Sequence, residues 1–334
     1  MKIGIIGTGG FANCHANSLK RIGMDLAACY SPNKGRCEEF AKKHNAQAFS
    51  NPFEMINKKN IDVLYIVISP NCLDGTYEMA AIENGIPFLC EKPVGLQLNT
   101  INKVADKIKE KNLVSTSGFL LRYGKPAAQT REIIARNTPS IVRSSRMDIT
   151  KEIAWHHKME SSQGMMMNAG IHTIDFMRFV FGEVEHVYAT SSYGIIKEKF
   201  KDSDIYDSIA STLKFKNGMV ANLSVSGVCI KEDAPQLDFL DVYGDEFRLV
   251  VDSIWDNGEI RYMEKDHQWN SLIQDKLDDR HDAKNRLFLE AAEKQDPSMI
   301  EDSYIDAVES CKVVMAINES AKSGKQIVID EFGK

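Results

Sequence analysis

A chain of 334 residues is too long for one ordinary hydrophobic core, so two domains are the natural division. Its hydrophobic content of 43% and charged content of 26% are those of a soluble globular protein, and a net charge of −6 supplies no field to gather nucleic acid or anionic membrane. No stretch approaches the roughly 20 apolar residues of a membrane span, and no basic-then-apolar leader opens the chain, so a cytoplasmic protein is expected.

The first dozen residues, Met1-Lys-Ile-Gly-Ile-Ile-Gly-Thr-Gly-Gly-Phe-Ala12, organise the rest of the chain. Ile3 to Ile6 reads as a short buried parallel strand, and Ala12 to Ile22 continues at helical period. Between them Gly7, Gly9 and Ala12 set the spacing G-x-G-x-x-A of a dinucleotide-binding turn. Gly7 permits the tight turn, Gly9 lets backbone approach a pyrophosphate, and Ala12 lets the helix lie close on the strand. The N–H groups around Gly9, Gly10, Phe11 and Ala12 would then face the phosphates, where the helix dipole favours negative charge.

Strand and helix patterns alternate from there to Gly118. Asp25 to Cys29 is a second strand, Lys34 to His44 a charged helix, and Asp62 to Ile68 an apolar run suited to a central parallel strand. Thr76 to Asn84 is helical and stops at Gly85; Ile86 to Cys90 is a strand, Leu98 to Lys111 a helix and Leu113 to Gly118 a strand. Such alternation predicts an open, doubly wound parallel sheet, a Rossmann domain over residues 1–121.

Past Arg122 the pattern changes. A helix from about Lys125 to Arg136 leads to a strand at Ser140 to Asp148, an irregular stretch at Ile149 to Gln163, and a helix beginning near Asn168. Consecutive strands come next: Ile209 to Phe215, a hairpin signal at Asn217-Gly218 expected to be a type I′ turn, then Ala221, Leu223 and Val225 in alternation. Gln236 to Val242, Phe247 to Val251 and Glu259 to Met263 are further strands, with helices at about Asp282 to Lys294 and Glu301 to Ser323 and a last strand at Gln326 to Ile329. Residues 122–334 are therefore expected to form a C-terminal α+β domain with a large, mostly antiparallel open sheet.

In an open α/β sheet, ligands bind outside the carboxyl ends of the strands. Ser69-Pro70-Asn71 and Glu91-Lys92-Pro93 fall there, each just past an apolar strand, so Ser69, Pro70, Asn71, Glu91 and Lys92 are expected to line the cofactor. Pro93 disfavours the α region for Lys92. An ammonium at that mouth can hydrogen-bond a substrate hydroxyl and stabilise the alkoxide that develops as hydride leaves. The seven cysteines are scattered without a C-x-x-C pair and read as reduced packing residues. No H-x-x-x-H or clustered carboxylate pattern supports a metal. His15, in the first helix, reads as core packing.

Gly7-x-Gly9-x-x-Ala12 with Glu91-Lys92-Pro93, Gly118-Phe119-x-x-Arg122, Gly170-Ile171-His172-Thr173-Ile174-Asp175 and the closing Lys322-Ser323-Gly324-Lys325-x-Ile327-Val328-Ile329 resembles the glucose–fructose oxidoreductase/inositol dehydrogenase/MocA family along essentially the whole chain. The resemblance implies an oxidoreductase with bound NAD or NADP, acting on a carbinol of a sugar, polyol or related ring. It also implies a homodimer or homotetramer built through the C-terminal sheet. Lys92 takes the place of the family's catalytic lysine and His172 that of its histidine, while the acidic position of the family's D-x-x-x-H falls on Asn168. Asparagine orients a hydroxyl but transfers no proton, which leaves acid–base work to His172, whose ordinary pKa of about 6.5 suits it. Trp155 and His156, in the stretch where relatives build the substrate pocket, join the expected substrate set with Arg122, for which an ion pair is the equal alternative, and Asp175, which could orient the imidazole or serve in capping or pairing. After Pro70-Asn71 the family commonly has a histidine, where this chain has Asp74.

No acid ends the second strand to take the ribose hydroxyls, and Ser31, Asn33 and Lys34 there can receive a 2′-phosphate, so the sequence leans to NADP. The competing reading keeps fold and cofactor but makes the chain a non-catalytic sensor of nucleotide or sugar; Asn168 feeds it, and Lys92 with His172 oppose it.

Overall fold

Ile3, Ile5 and Ile6 are wholly buried because parallel strands pair with this run on both edges. The computed structural model describes residues 1–229, 239–255, 259–273 and 276–334. They fold as two units, Met1–Leu120 with Asp278–Val308, and Leu121–Leu277 with Glu309–Lys334.

In the first unit the strands are β1 (Ile3–Ile6), β2 (Leu26–Tyr30), β3 (Gln47–Phe49), β4 (Val63–Ile66), β5 (Phe88–Cys90) and β6 (Ser115–Ser117). All pair in parallel in the order β3-β2-β1-β4-β5-β6, the doubly wound order whose switch point lies between β1 and β4. Helices Lys34–His44 and Leu98–Lys111 have the predicted bounds. Asn33 caps the first by accepting from Arg36 N–H, and Ile101, Val104, Ala105 and Ile108 give the second its buried stripe. Gly85, at φ 61°, ends helix Thr76–Glu83 as expected: its N–H donates to Ile82 O, and Ile86 N–H donates to Ala81 O.

The sequence divides the chain once, between residues 121 and 122. The structure instead returns Asp278–Val308 to the first unit. Phe288, Leu289, Ala291, Ala292 and Ile300 join the core made by Ile3, Ile5, Leu19, Tyr65 and Leu89. Lys284 and Asp302 are buried together at 2.5 Å, and Thr116 Oγ1 donates to Asp302 at 2.7 Å. A change of pattern marks where alternation stops; it carries no sign that a later helix comes back.

The second unit holds β7 (Pro139–Met147), β8 (Val184–Ser192), β9 (Ser208–Phe215), β10 (Val220–Ser226), β11 (Phe239–Gly244), β12 (Phe247–Val251), β13 (Glu259–Met263), β14 (Trp269–Ile273) and β15 (Ile327–Val328). They form one sheet ordered β14-β13-β12-β11-β7-β10-β9-β8-β15; among the described residues β7–β10 is the one parallel pair and every other pair is antiparallel. Leu213, Phe215, Ala221, Leu223 and Val225 face inward, while Thr212 and Asn222 face out. Residues 236–238 of the candidate strand Gln236–Val242 lie outside the described residues.

The hairpin at Asn217-Gly218 is not a type I′ turn, which needs positive φ at both central residues. Only Gly218 has it, at 92°. Phe215 O accepts from Gly218 N–H and Phe215 N–H donates to Met219 O, a turn followed by a bulge residue. Strand β8 is missing from the sequence reading, because a register shift between Val184 and His186 breaks its alternation. Among the described residues no helix is long and apolar enough to cross a membrane.

Candidate active site

Register brings the nucleotide-facing segments of the first unit into one row. Gly7 N–H donates to Tyr30 O, Val67 N–H to Ile6 O and Glu91 N–H to Ile66 O, and Cys90 pairs with Ser117. The glycine turn, Ser31, Ser69, Glu91-Lys92 and Gly118 therefore all follow the carboxyl edge of the sheet, beside its switch point. Gly7 has φ 101°, and a Cβ there would lie 1.9 Å from Val67 O. Gly9 and Gly10 are exposed, and a Cβ on either would meet nothing within 4 Å. Gly9 caps helix Gly10–Arg21 without a side-chain bond. The first N–H groups of that helix thus look into open space with no Cβ in the way, which fits a pyrophosphate. Ala12 is fully buried, as close helix–strand packing demands, and Phe11 stands exposed beside the turn.

At the end of β2, Ser31 is half-buried and Lys34 exposed, 3.8 Å from Glu38, while the Asn33 side chain caps its helix. Arg36, in the first turn of the same helix, is a second exposed cation that the sequence reading passed over. Beyond β4, Pro70–Cys72 is a single 3₁₀ turn with Ser69 at its start and Asn71 exposed. Asp74 Oδ1 accepts from Thr76 N–H at 3.0 Å, tying off the start of helix Thr76–Glu83.

Beyond β5, Glu91 is 7% exposed. Its Oε1 lies 2.8 Å from His15 Nε2 and its Oε2 accepts Lys92 N–H at 3.2 Å. Lys92 itself is half-buried, and the Lys92–Pro93 peptide is cis. The Glu91 carboxylate, expected to serve the cofactor, is therefore engaged by the helix that opens from the glycine turn. His15 does more than pack: its ring also stands edge-on to Tyr65 and His281, with centroids 5.3 and 5.6 Å away. A single histidine in a helix gives no sign of such partners; they come from β4, β5 and the returning helix.

In the second unit the helix carrying the family's histidine begins irregularly. Met166–Gly170 is a π turn that passes into helix Ile171–Phe181, a bulge of a kind frequent at functional sites. Asn168, four residues before His172, thus lies within the π turn and His172 just past it; Asn168 is half-buried and His172 is 9% exposed. Gly170 between them is closely packed, since a Cβ would lie 2.9 Å from Val225 Cγ2 and 2.8 Å from Met166 Sδ. The His172 ring meets the Trp255 ring edge-on at 4.8 Å, and the Arg146 guanidinium lies 5.4 Å from the Trp255 centroid. Neither Trp255 nor Arg146 was singled out from the sequence, where both stand isolated from any motif.

For Arg122 the sequence leaves substrate contact and an ion pair equally open, and for Asp175 a place at the substrate or a structural pairing. They face each other: Arg122 Nη2 is 2.5 Å from Asp175 Oδ1 and Nε is 2.9 Å from Oδ2, with both side chains buried. Ser310 Oγ also donates to Asp175 Oδ1, at 3.0 Å. With its oxygens so engaged, Asp175 braces the histidine helix. Trp155 and His156 lie half-buried on a 3₁₀ turn, Ala154–His157, with ring centroids 3.9 Å apart. Among the described residues no group of three or more His, Cys, Asp or Glu could hold a metal.

Sheet order and glycine cradle define a dinucleotide-binding domain. A family profile described as an oxidoreductase family with an NAD-binding Rossmann fold matches residues 1–119, and one described as the GFO/IDH/MocA C-terminal domain matches residues 138–250. The chain belongs to this GFO/IDH/MocA family and is an NAD(P)-dependent dehydrogenase. Myo-inositol 2-dehydrogenase of Thermotoga maritima is 25% identical over 260 residues, 76% of each chain. D-xylose 1-dehydrogenase (NADP(+)) 2 of Haloferax volcanii is 21% identical over 344 residues, 99% of this chain and 100% of that one. Levoglucosan dehydrogenase, solved with NADH and levoglucosan, has the same fold at a TM-score of 0.87 and 18% identity, covering 99% of this chain and 100% of the other.

Proposed function

We propose that the chain interconverts a secondary alcohol and a ketone on a sugar, polyol or related ring, with Lys92 and His172 as its acid–base groups. The observation that carries this reading is the alignment of Glu91-Lys92 with the open glycine cradle along one edge of the sheet. The nicotinamide, when bound, accepts or returns the hydride. Lys92 donates a hydrogen bond to the reacting oxygen and stabilises its developing negative charge. His172 takes the hydroxyl proton, its ring kept upright against Trp255, and Asn168 orients the substrate by hydrogen bonding. Trp155 and His156 contact the ring of the substrate, while Arg122 and Asp175 serve by holding the His172 helix in place.

Backbone N–H groups of Gly9, Gly10, Phe11 and Ala12 hold the pyrophosphate, and Ser69, Pro70 and Asn71 flank the nicotinamide half. Ser31, Lys34 and Arg36 at the end of β2 favour a 2′-phosphate, so NADP is the preferred nucleotide; relatives that use each nucleotide are known. Outward-facing Tyr188, Tyr243 and Trp269 are exposed on the open sheet, which we read as the surface for self-association.

The test is a panel of inositols, pentoses, hexoses and sugar phosphates with NAD+ and NADP+. At least one member should give reduced nucleotide, faster with NADP+, and Lys92→Ala should lower kcat on the order of a hundredfold or more. A panel with no turnover, or a Lys92→Ala enzyme with unimpaired kcat, refutes the assignment and returns the sensor reading.

A further inference from the structure

We propose that His15 and Glu91 are a positioning pair, fixing the turn that bears Lys92 and holding its side chain as the charged ammonium. This rests on the reading of Lys92 as an acid–base residue.

The Glu91 carboxylate is the junction of elements far apart in sequence. One oxygen meets His15 Nε2 at 2.8 Å, from the helix that opens at the glycine turn. The other accepts the backbone N–H of Lys92 at 3.2 Å. Beyond β6 the chain makes room for that second oxygen: a Cβ on Gly118 would lie 2.3 Å from it. At 7% exposure the carboxylate has lost most of its water and depends on these partners. A buried hydrogen-bonded pair contributes little net stability over an apolar pair of similar volume, so stability is a poor reason for this arrangement. Its geometric effect is specific. One rigid group ties the pyrophosphate-side helix to the main chain of the lysine.

The electrostatic effect follows from the groups around it. Burial pushes Glu91 up, but the His15 bond and charge, then Lys92 and His281, outweigh it and leave the carboxyl below its ordinary range. Glu91 is therefore an anion across neutral pH. His281 is pushed down to about 4, first by burial and then by His15, with Glu91 and Asp278 pulling up and Arg21 pulling down. It is thus neutral and does not compete for the carboxylate. Tyr65, which faces His15 from β4, is driven far up by burial, and its hydroxyl donates to Asn285 at 3.2 Å, so it too is neutral. Lys92, whose charge helps hold the Glu91 carboxyl down, is stabilised by Glu91 in return, because such coupling is reciprocal.

Glu91→Gln keeps the shape and removes the charge. Acetic anhydride labelling of Lys92 across pH, read by peptide mass spectrometry, should show its midpoint moving down by about one unit. The alkaline limb of kcat/KM should move the same way. His15→Ala should lower kcat on the order of tenfold with KM little changed, and His15→Gln, which keeps a donor, should recover part of it. A merely structural pair would lower the melting temperature and leave the labelling midpoint in place. A folded Glu91→Gln protein with unmoved labelling and limb overturns the proposal. Should Glu91→Gln not fold, an unimpaired kcat in His15→Ala does so. Lys92→Ala separates the two readings: if it keeps full kcat, the lysine assignment fails whatever the labelling shows, and if it loses kcat while the midpoint stays put, only the pair fails.

Discussion

At Gly7 the backbone has φ 101° and a Cβ would collide with Val67 O, whereas at Gly9, two residues on, a Cβ would point into open space. The two glycines thus separate folding from binding. Gly9→Ala should leave the melting curve of the nucleotide-free protein within about 0.5 kcal/mol of wild type and weaken NAD(P)H binding by tenfold or more, as seen in a fluorescence titration. Gly7→Ala should destabilise the fold by several kcal/mol, since strain and collision act together. Unimpaired binding by Gly9→Ala would show that the pyrophosphate does not lie over this turn. Both glycines could be read from spacing, because a tight turn is a local demand. The partners of His15 could not, because imidazole has the same composition whether it packs or holds a carboxylate.

Helix Ile171–Phe181 depends on charges that its own sequence does not pair. Asp175 meets Arg122 and Ser310, and Arg178 meets Glu183 and Ser310. Removing one partner of the buried Arg122–Asp175 pair leaves an uncompensated charge. Asp175→Asn should therefore cost about 3–5 kcal/mol in urea unfolding. Replacing both, as Arg122→Met with Asp175→Leu, should restore much of that loss; equal destabilisation of the single and double variants would refute the pairing as the cause. Elements with an unbroken period were legible in full, as Lys34–His44, Leu98–Lys111, Phe247–Val251 and Glu259–Met263 show. Strand β8 was not, because its bulge and its outward Ser and Thr residues hide the alternation.

On the scale of the molecule, stability carries the signature of a buried acid in the first unit. Glu78 is pushed up to about 7, chiefly by burial, while its own backbone and the Cys90 thiol pull the other way and Asp74 adds to the rise. Its carboxyl stays protonated in the folded state where the unfolded chain, titrating near 4.5, has released the proton. The native state thus binds more protons between these values, and stability falls as pH rises from about 4.5 to about 7. Glu78→Gln, which cannot ionise, should match wild type near pH 4 and exceed it at pH 8 by about 2–3 kcal/mol. A difference that does not change with pH, measured by denaturation at both values, would rule this out.

Taken alone, the amino-acid order determined the Rossmann alternation, the antiparallel second half, the glycine cradle and the position of Lys92 past its strand. Each is a rule about neighbours within a few residues: period, turn geometry, helix ends. Tertiary structure decided that Asp278–Val308 returns to the first unit, that Glu91 answers to His15, and that Arg122 closes on Asp175. Those outcomes depend on which buried charge finds which partner across the fold, and desolvation enforces the pairing only once the chain has collapsed.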